Sequence, residues 1–341
     1  MPTNLLYPRI PESQAEKCVK VRQGASKCVK VRQSASKCVK NIRVLPENFQ
    51  EIPQNFQEIP DHCPYAIGVF KAKCSCGRIY YRVAGCNREV CEYCGRKNSP
   101  LHKQTFKRWI GKARWLLKNF GYVGYLVITF PEEIREKLKN QKKLREIMGK
   151  VKRVLREFGA THIKMRWHWA GDKGGRWHPH LNIIVNIRFF EDIGESLKKR
   201  LKEEFQVDNL VINHQYLRKV NKLVHCIKYI TRPTLLLIED ENERWEIWEN
   251  VVKGFRNDAW MGKWQEDNLT IEDVKAVILK AEKEWQDGDW KRYVELCLDV
   301  GICPSCGAKI KWKWQKMEIW KLEEYSSLKI NGYYLSDGEF T

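Results

Sequence analysis

A nine-residue segment that alternates between two faces limits the fold of this chain more than any other feature. In Trp177–Val185 (Trp-His-Pro-His-Leu-Asn-Ile-Ile-Val), every second residue from Trp177 is apolar or proline. The remaining positions include His178, His180 and Asn182. Successive side chains of a strand point to opposite faces, so this spacing predicts a half-buried strand with two imidazoles on one face. Paired imidazoles in such a setting are typical of a divalent-metal site.

The segment before it predicts the other half of a β-hairpin. Residues 160–170 and 176–187 read as strands around a glycine-rich turn, 171–175. Whether residue 168 lies opposite 178 or 180, His168 shares the face of the two later histidines. The same face carries His162, Lys164 and Arg166. We therefore predict a basic floor with three metal-binding histidines at one end, and we expect Lys164 and Arg166 to contact phosphates.

The surrounding periodicity predicts an α+β domain. Apolar residues at helical spacing predict helices over 101–120, 132–158, 189–205 and 219–231, and β-rich runs predict further strands over 122–130 and 209–216. The order strand, helix, hairpin, helix, strand, helix favours a central antiparallel sheet with helices packed against it.

One tyrosine stands out as a nucleophile. Tyr229 lies on the last of these helices, with Lys228 beside it, Arg232 one turn later and His225 one turn earlier. Cations near a phenol favour the phenolate and hold a phosphate, as a tyrosine that attacks phosphorus requires. Tyr125 and Tyr216 fall in predicted strands and are weaker candidates.

Composition limits the kinds of partner and the cellular compartment that we expect for this protein. The 341 residues carry a net charge of +20 and a pI near 9.4, which suits a phosphate polymer, although ribosomal-type and membrane-surface proteins are basic too. The sequence has no eighteen-residue apolar run and no secretory hydrophobic segment, so we expect a cytoplasmic protein without membrane contact. It also lacks the P-loop pattern GxxxxGK[ST], so no fused helicase is expected.

Cysteines predict structural zinc, because an intracellular chain with thirteen of them has little use for disulfides. Cys74-Ser-Cys76-Gly and Cys91-Glu-Tyr-Cys94-Gly form two knuckle-like pairs, which we predict to bind one Zn²⁺, with Cys86 as an alternate for Cys74. Cys303-Pro-Ser-Cys306-Gly is half of a second site. Cys297 is a possible third ligand there, and a fourth could come from another segment.

The chain divides into four parts by composition. Residues 1–62 contain short repeats of ten and seven residues and predict a poorly ordered tail; 63–100 are cysteine-rich; 101–240 hold the α+β domain; 241–341 are tryptophan-rich. In this last part, Lys311-Trp312-Lys313-Trp314 alternates like a strand. Its tryptophans could stack on unpaired bases, but packing within a small domain is the favoured interpretation.

Three segments together resemble a known family. Tyr125-Leu-Val-Ile-Thr-Phe-Pro131, Trp177-His-Pro-His-Leu-Asn182 and Lys228-Tyr-Ile-Thr-Arg-Pro233 are similar to the three ordered motifs of HUH endonucleases, above all the single-tyrosine rolling-circle replication initiators (Rep proteins) of plasmids and viruses. The likeness covers roughly residues 70–235. It implies a ferredoxin-like sheet, nicking of single-stranded DNA at a replication origin, and a 5′-phosphotyrosine intermediate.

The resemblance also implies roles for individual residues. His178 and His180 would bind Mg²⁺ or Mn²⁺, Tyr229 would be the nucleophile, and Lys228 and Arg232 would contact phosphate; a host helicase and polymerase would be partners. This chain departs from the pattern twice. His168 stands where many relatives have a carboxylate ligand, and His225 stands where some have a second tyrosine. An HUH-type transposase and a non-enzymatic zinc-ribbon DNA-binding regulator are the alternatives.

Overall fold

The computed structural model describes residues 63–66, 68–172, 175–187, 190–278 and 289–336. The predicted repetitive tail, 1–62, lies outside the described residues. The strands are β1 Val69–Lys73, β2 Ile79–Val83, β3 Val123–Thr129, β4 Ile163–Ala170, β5 Trp177–Val185, β6 Val211–Leu217, β7 Asp258–Met261, β8 Lys313–Gln315, β9 Leu328–Ile330 and β10 Tyr333–Ser336.

The helices alternate with these strands. They are α1 Pro100–Phe120, α2 Glu132–Arg135, α3 Gln141–Glu157, α4 Phe190–Phe205, α5 Val220–Thr231, α6 Glu241–Ile247, α7 Ile271–Ile278, α8 Asp289–Val300 and α9 Ile319–Tyr325. Short 3₁₀ turns follow α2 and α5, and a π turn follows α6. None of the helices in the described ranges is both long and apolar enough to cross a bilayer.

The predicted strands and hairpin form a five-stranded sheet, called here the central sheet. Its order is β6-β3-β5-β4-β7, and every pair is antiparallel. The predicted α+β class with an antiparallel sheet is confirmed. One long helix over 132–158 was wrong, because the Asn140 side chain accepts hydrogen bonds from the backbone N–H groups of Lys142 and Lys143 and so begins a new helix.

Helices cover both faces of the central sheet. On one face, α3 and α4 pack against alternate residues of the hairpin, including Met165, Trp167 and Ile183. On the other face, α1 and α5 bury Val123, Tyr125 and Ile184. The second face is the one that carries the histidines. The basic floor expected from the sequence is therefore a helix-covered surface, since alternation predicts which residues share a face but not what covers it.

The cysteine-rich and C-terminal segments share a second sheet. Its order is β8-β1-β2-β10-β9, again antiparallel throughout, so strands from 69–83 pair with strands from 313–336. The C-terminal segment also supplies β7, which pairs with β4 at the edge of the central sheet. Both sheets belong to one unit, Glu58–Thr341.

Candidate active site and metal centres

The β4–β5 hairpin brings two of the predicted histidines face to face. His168 is paired directly with His180, and their ring centroids are 5.0 Å apart. This is one of the two registers expected from the sequence. His178 is farther out, with its ring centroid 6.2 Å from that of His180. The register shifts by a β-bulge between His168 and Ala170, next to these rings.

Helix α5 carries Tyr229 to the same place. The ring centroid of Tyr229 lies 5.3 Å from that of His168. The Arg232 guanidinium lies over the tyrosine ring, 4.2 Å from its centroid, and is held there by an ion pair with Asp172 in the hairpin turn. Arg232 is the residue before Pro233 and ends the helix in an extended conformation, because proline disfavours a helical residue before it.

Hydrogen bonds orient the histidine rings. Nε2 of His168 lies 2.8 Å from the backbone oxygen of Ile230, which can only accept, so Nε2 donates and Nδ1 keeps its lone pair. By the same reasoning, Nδ1 of His180 donates to the His178 carbonyl at 3.2 Å and Nε2 keeps the lone pair. Nδ1 of His168 and Nδ1 of His178 are buried without a partner in the described structure. A ligand histidine has this pattern, with one nitrogen anchored and the other free.

All three histidines are neutral near pH 7. Burial lowers the pKa of His168 well below its ordinary value, and the neighbouring His180 adds to the effect. Burial likewise lowers the pKa of His180 to about 4 and lowers that of His178. Neutral imidazole is the form that binds a metal. The chemistry of these donors suits a divalent ion, but among the described residues only the two cysteine groups described below have their ligand atoms all within 4.8 Å of one another.

A nearby cation, Arg232, does favour the Tyr229 phenolate, but burial outweighs it. Burial raises the pKa of this phenol above its ordinary value, and Arg232 only partly opposes that effect. Lys228 turns away, its Nζ lying 3.5 Å from Asp299, and His225 is exposed. The phenol is thus protonated at neutral pH, and Arg232 is the predicted phosphate contact that the structure brings to the tyrosine.

Lys164 and Arg166 do not form an open phosphate-binding floor. Arg166 donates to Glu89 and to Asp258, at 3.1 Å each, and Lys164 Nζ lies 3.6 Å from Asp258. Both cations are buried, and burial lowers the pKa of Lys164 to about 8. They line the inner wall of a cleft of about 510 Å³ under β7. Sequence reasoning missed Glu89 and Asp258 because each lies far along the chain, with no motif around it.

The cysteines form two groups of four, and each group could hold a metal ion. One group is Cys63, Cys86, Cys91 and Cys94; the other is Cys74, Cys76, Cys303 and Cys306. The predicted joint site of Cys74, Cys76, Cys91 and Cys94 is therefore wrong. The β1–β2 hairpin that carries the first pair lies against the Cys303 turn instead, and Cys86 and Cys63 complete the other group.

The ligand predictions for the second group were partly wrong. Cys297 is buried in the core beneath α1 and α5 and belongs to neither group. Both missing ligands come from another segment, more than two hundred residues earlier. Cys63 was missed as a ligand because a lone cysteine carries no spacing signal.

The sulfur geometry suits tetrahedral coordination. The shortest separations are 3.4 Å and 3.7 Å in the second group, and 3.7 Å and 3.9 Å in the first. Four thiolates at about 2.3 Å from a zinc ion would lie about 3.8 Å apart. A disulfide would need about 2.05 Å. In each knuckle the glycine N–H donates to the carbonyl of the first cysteine, as Gly307 does to Cys303 at 2.9 Å.

Comparison of the chain with protein-family models, with curated proteins and with solved structures found no match. The likeness to HUH endonucleases accordingly rests on the three motifs and on the geometry described above.

Proposed function

We propose that this chain is an HUH-type endonuclease that nicks single-stranded DNA through Tyr229, the activity of a rolling-circle replication initiator. One observation carries the proposal: helix α5 brings Tyr229 to the histidines of the β4–β5 hairpin. The ring centroid of His168 lies 5.0 Å from that of His180 and 5.3 Å from that of Tyr229. A DNA-binding regulator would have no need of a half-buried tyrosine beside neutral, partly unpartnered histidines.

The topology supports the same proposal. The strands β3, β4, β5 and β6, connected by α3, the hairpin turn and α4, lie in the order fourth, first, third, second. A β-α-β-β-α-β unit in this antiparallel order is the ferredoxin-like arrangement that the family resemblance implies. In this arrangement β3 and β5 are the two inner strands of the four, and α5 follows the last strand, β6.

The chemistry follows from the residues around the scissile phosphate. The Tyr229 oxygen would attack phosphorus and lose its proton to solvent, the bond to the 3′-oxygen would break, and that oxygen would leave as a hydroxyl. Arg232 would hold a non-bridging oxygen of the phosphate. A Mg²⁺ or Mn²⁺ ion bound by His168, His178 and His180 would supply a Lewis acid that neutralises charge developing on the phosphate. The phosphotyrosine keeps a phosphodiester bond, so rejoining would need no ATP.

We further propose that both cysteine groups bind structural Zn²⁺. The Tyr80 hydroxyl, 3.1 Å from the Cys303 sulfur, supports this for the second group. Burial alone would raise the pKa of the Cys303 thiol, but this hydrogen bond and two backbone N–H groups lower it to about 6. A thiolate at neutral pH is the form that binds zinc.

The test is covalent capture of DNA. The purified full chain is incubated with labelled single-stranded fragments that tile its replicon, with Mn²⁺ or Mg²⁺, and run on a denaturing gel. A slow band that requires metal is expected. Tyr229→Phe should abolish the band, whereas Tyr216→Phe should retain it, because Tyr216 packs against Tyr122 away from the histidines.

Other outcomes would contradict the proposal in distinct ways. Metal-dependent cutting without an adduct would exclude the tyrosine mechanism. Binding without cutting on every fragment would favour the regulator. Adducts only on transposon-end hairpins, and none on origin fragments, would assign the same chemistry to an HUH-type transposase.

A further inference from the structure

A row of aromatic and cationic side chains crosses the second sheet outside the candidate active site. Phe70 on β1 is paired with Trp314 on β8 and with Arg82 on β2, and Arg82 is paired with Tyr333 on β10. Paired residues of neighbouring strands share a face, so these four side chains form one line across the sheet. The line ends at β8, the edge strand, where Trp314 is 52% exposed.

The inner part of the row is packed, and the outer part is open. Arg82 lies 4.8 Å from the Phe70 ring centroid and 5.0 Å from that of Trp312, and Trp312 stacks on Tyr333. Trp312 therefore contacts both Arg82 and Tyr333, which agrees with the packing role favoured for it. Trp314 differs because about half of its side chain is exposed to water. Such exposure is unfavourable for a large apolar ring, so packing does not explain its position.

Positively charged side chains surround the exposed end of the row at Trp314. Across β8 from the aromatic row, a groove of about 430 Å³ is lined by Lys71, Lys73, Lys311 and Lys313, with Trp314 and Gln315. Burial lowers the pKa of Lys107, and the charges of Arg82 and Lys309 lower it further, against the opposing charge of Glu266. Within the described part of the chain, no carboxylate oxygen lies within 4.0 Å of Arg82, Lys311 or Lys313.

Two simpler explanations do not account for the whole surface. Lysines on an edge strand discourage pairing with other chains, which would explain Lys313. It would not explain an exposed tryptophan on the same three-residue strand, or the lysines of β1 behind it. Fold stability does not explain Arg82, Lys311 and Lys313 either, because cations without an acidic partner within 4.0 Å repel one another.

We propose that this edge, made of Phe70, Arg82, Trp314 and the surrounding lysines, is a second DNA-binding surface that holds a single strand. Unpaired bases stack on Trp314, and the phosphates lie against the lysines of the groove. Stacking on aromatic side chains combined with a basic groove is how proteins bind single strands without reading their sequence. This surface contains neither Tyr229 nor the histidines, so the inference does not depend on nicking activity.

The experiment measures equilibrium binding of fluorescein-labelled oligo(dT) by the full chain carrying Tyr229→Phe, so that no adduct forms. In this background, Trp314→Ala should weaken binding about tenfold or more, as expected for loss of one stacked base. Trp314→Phe should recover most of the affinity. The matched control is Trp320→Ala, which removes a tryptophan of similar exposure (59%) from α9 and should change binding less than twofold.

The groove is tested by the salt dependence of binding. Lys311→Gln with Lys313→Gln should reduce the slope of log affinity against log salt by about 1.4, for two phosphate contacts on a single strand. The control pair Lys198→Gln and Lys199→Gln on α4 should leave the slope unchanged.

Three results would overturn the proposal. They are equal effects of Trp314→Ala and Trp320→Ala, duplex binding as tight as single-strand binding, and tighter binding of oligo(U) than of oligo(dT). Each variant is checked by its thermal unfolding midpoint, and Trp314→Phe keeps the test valid if Trp314→Ala fails to fold. Loss of adducts in the nicking assay would leave this measurement unaffected.

Discussion

His168 has two tasks at once. Its Nε2 anchors the Ile230 carbonyl, and its Nδ1 faces the site without a partner. A carboxylate at this position could bind a metal but could not donate a hydrogen bond to a carbonyl while ionised. Under the proposed function, His168 would be a metal ligand that also anchors the helix carrying Tyr229.

Replacing His168 should therefore destabilise the fold as well as the metal site. His168→Ala removes a fully buried ring and leaves the Ile230 carbonyl unpaired, which should cost about 3 kcal/mol of unfolding free energy. His225→Ala removes an exposed imidazole from α5, the helix that His168 anchors, and should cost less than about 0.5 kcal/mol of unfolding free energy. Urea unfolding without added Mg²⁺ or Mn²⁺ compares the two variants. Equal costs would show that the His168 hydrogen bond is unimportant.

At the scale of elements, α5 is held by histidines at its carboxyl end. The last carbonyls of a helix have no partners within it. Here Nε2 of His102, on α1, donates to the Lys228 carbonyl at 2.8 Å, and His168 donates to that of Ile230. These two bonds fix the turn that carries Tyr229. Tyr229 is thus positioned from two separate elements, α1 and β4.

The His102 contact predicts a pH dependence of stability. Burial lowers the pKa of His102 to about 4 from an ordinary value of about 6.5. Below pH 6.5 the unfolded chain binds a proton that the folded chain excludes, so this contribution is complete above that pH and is lost as pH falls towards 4. Between pH 7 and pH 5 the loss should be about 2 kcal/mol.

His102→Gln should remove that share of the pH dependence. Glutamine can still donate to the Lys228 carbonyl but does not titrate. The free energy of urea unfolding at pH 7 and pH 5 is measured for both proteins, and the difference between their losses isolates His102 from the other buried histidines. Identical losses in the two proteins would contradict the assigned role.

Local pattern predicted the elements well and their surroundings poorly. Alternation in 160–187 gave the hairpin and the shared face of its histidines, because a strand has a fixed period of two. The same alternation could not show that Lys164 is buried against Trp109 of α1 and that Arg166 is buried between Glu89 and Asp258. The strand β7 was missed because four residues, Asp258–Met261, are too few to show a period.

At the scale of the whole molecule, the second cysteine group joins the two ends of the described chain. Cys74 and Cys76 meet Cys303 and Cys306, and the strands next to these segments pair in one sheet. Spacing could identify each knuckle but not which knuckles share an ion, because that choice is made by the pairing of strands far apart in sequence. With three cysteine pairs in the sequence, the two that are nearest in the chain were assigned to one ion, and that assignment was wrong.

Metal content tests the regrouped ligands. The purified chain should contain two zinc ions per molecule by atomic emission. Cys306→Ala should reduce this to one, and Cys63→Ala should do the same through the other group. Cys297→Ala alters a buried cysteine outside both groups and should retain two. One ion per molecule in the unmodified chain would contradict the two-site assignment.

The central claim is that Tyr229 becomes joined to DNA. Trypsin cleaves after Lys228 but not between Arg232 and Pro233, so it releases residues 229–244, which contain one tyrosine. After reaction with single-stranded DNA, metal and nuclease digestion, mass spectrometry of the tryptic peptides locates the nucleotide. We predict a nucleotide mass on peptide 229–244, at Tyr229. A nucleotide on any other peptide, or on none while cutting proceeds, would contradict the mechanism.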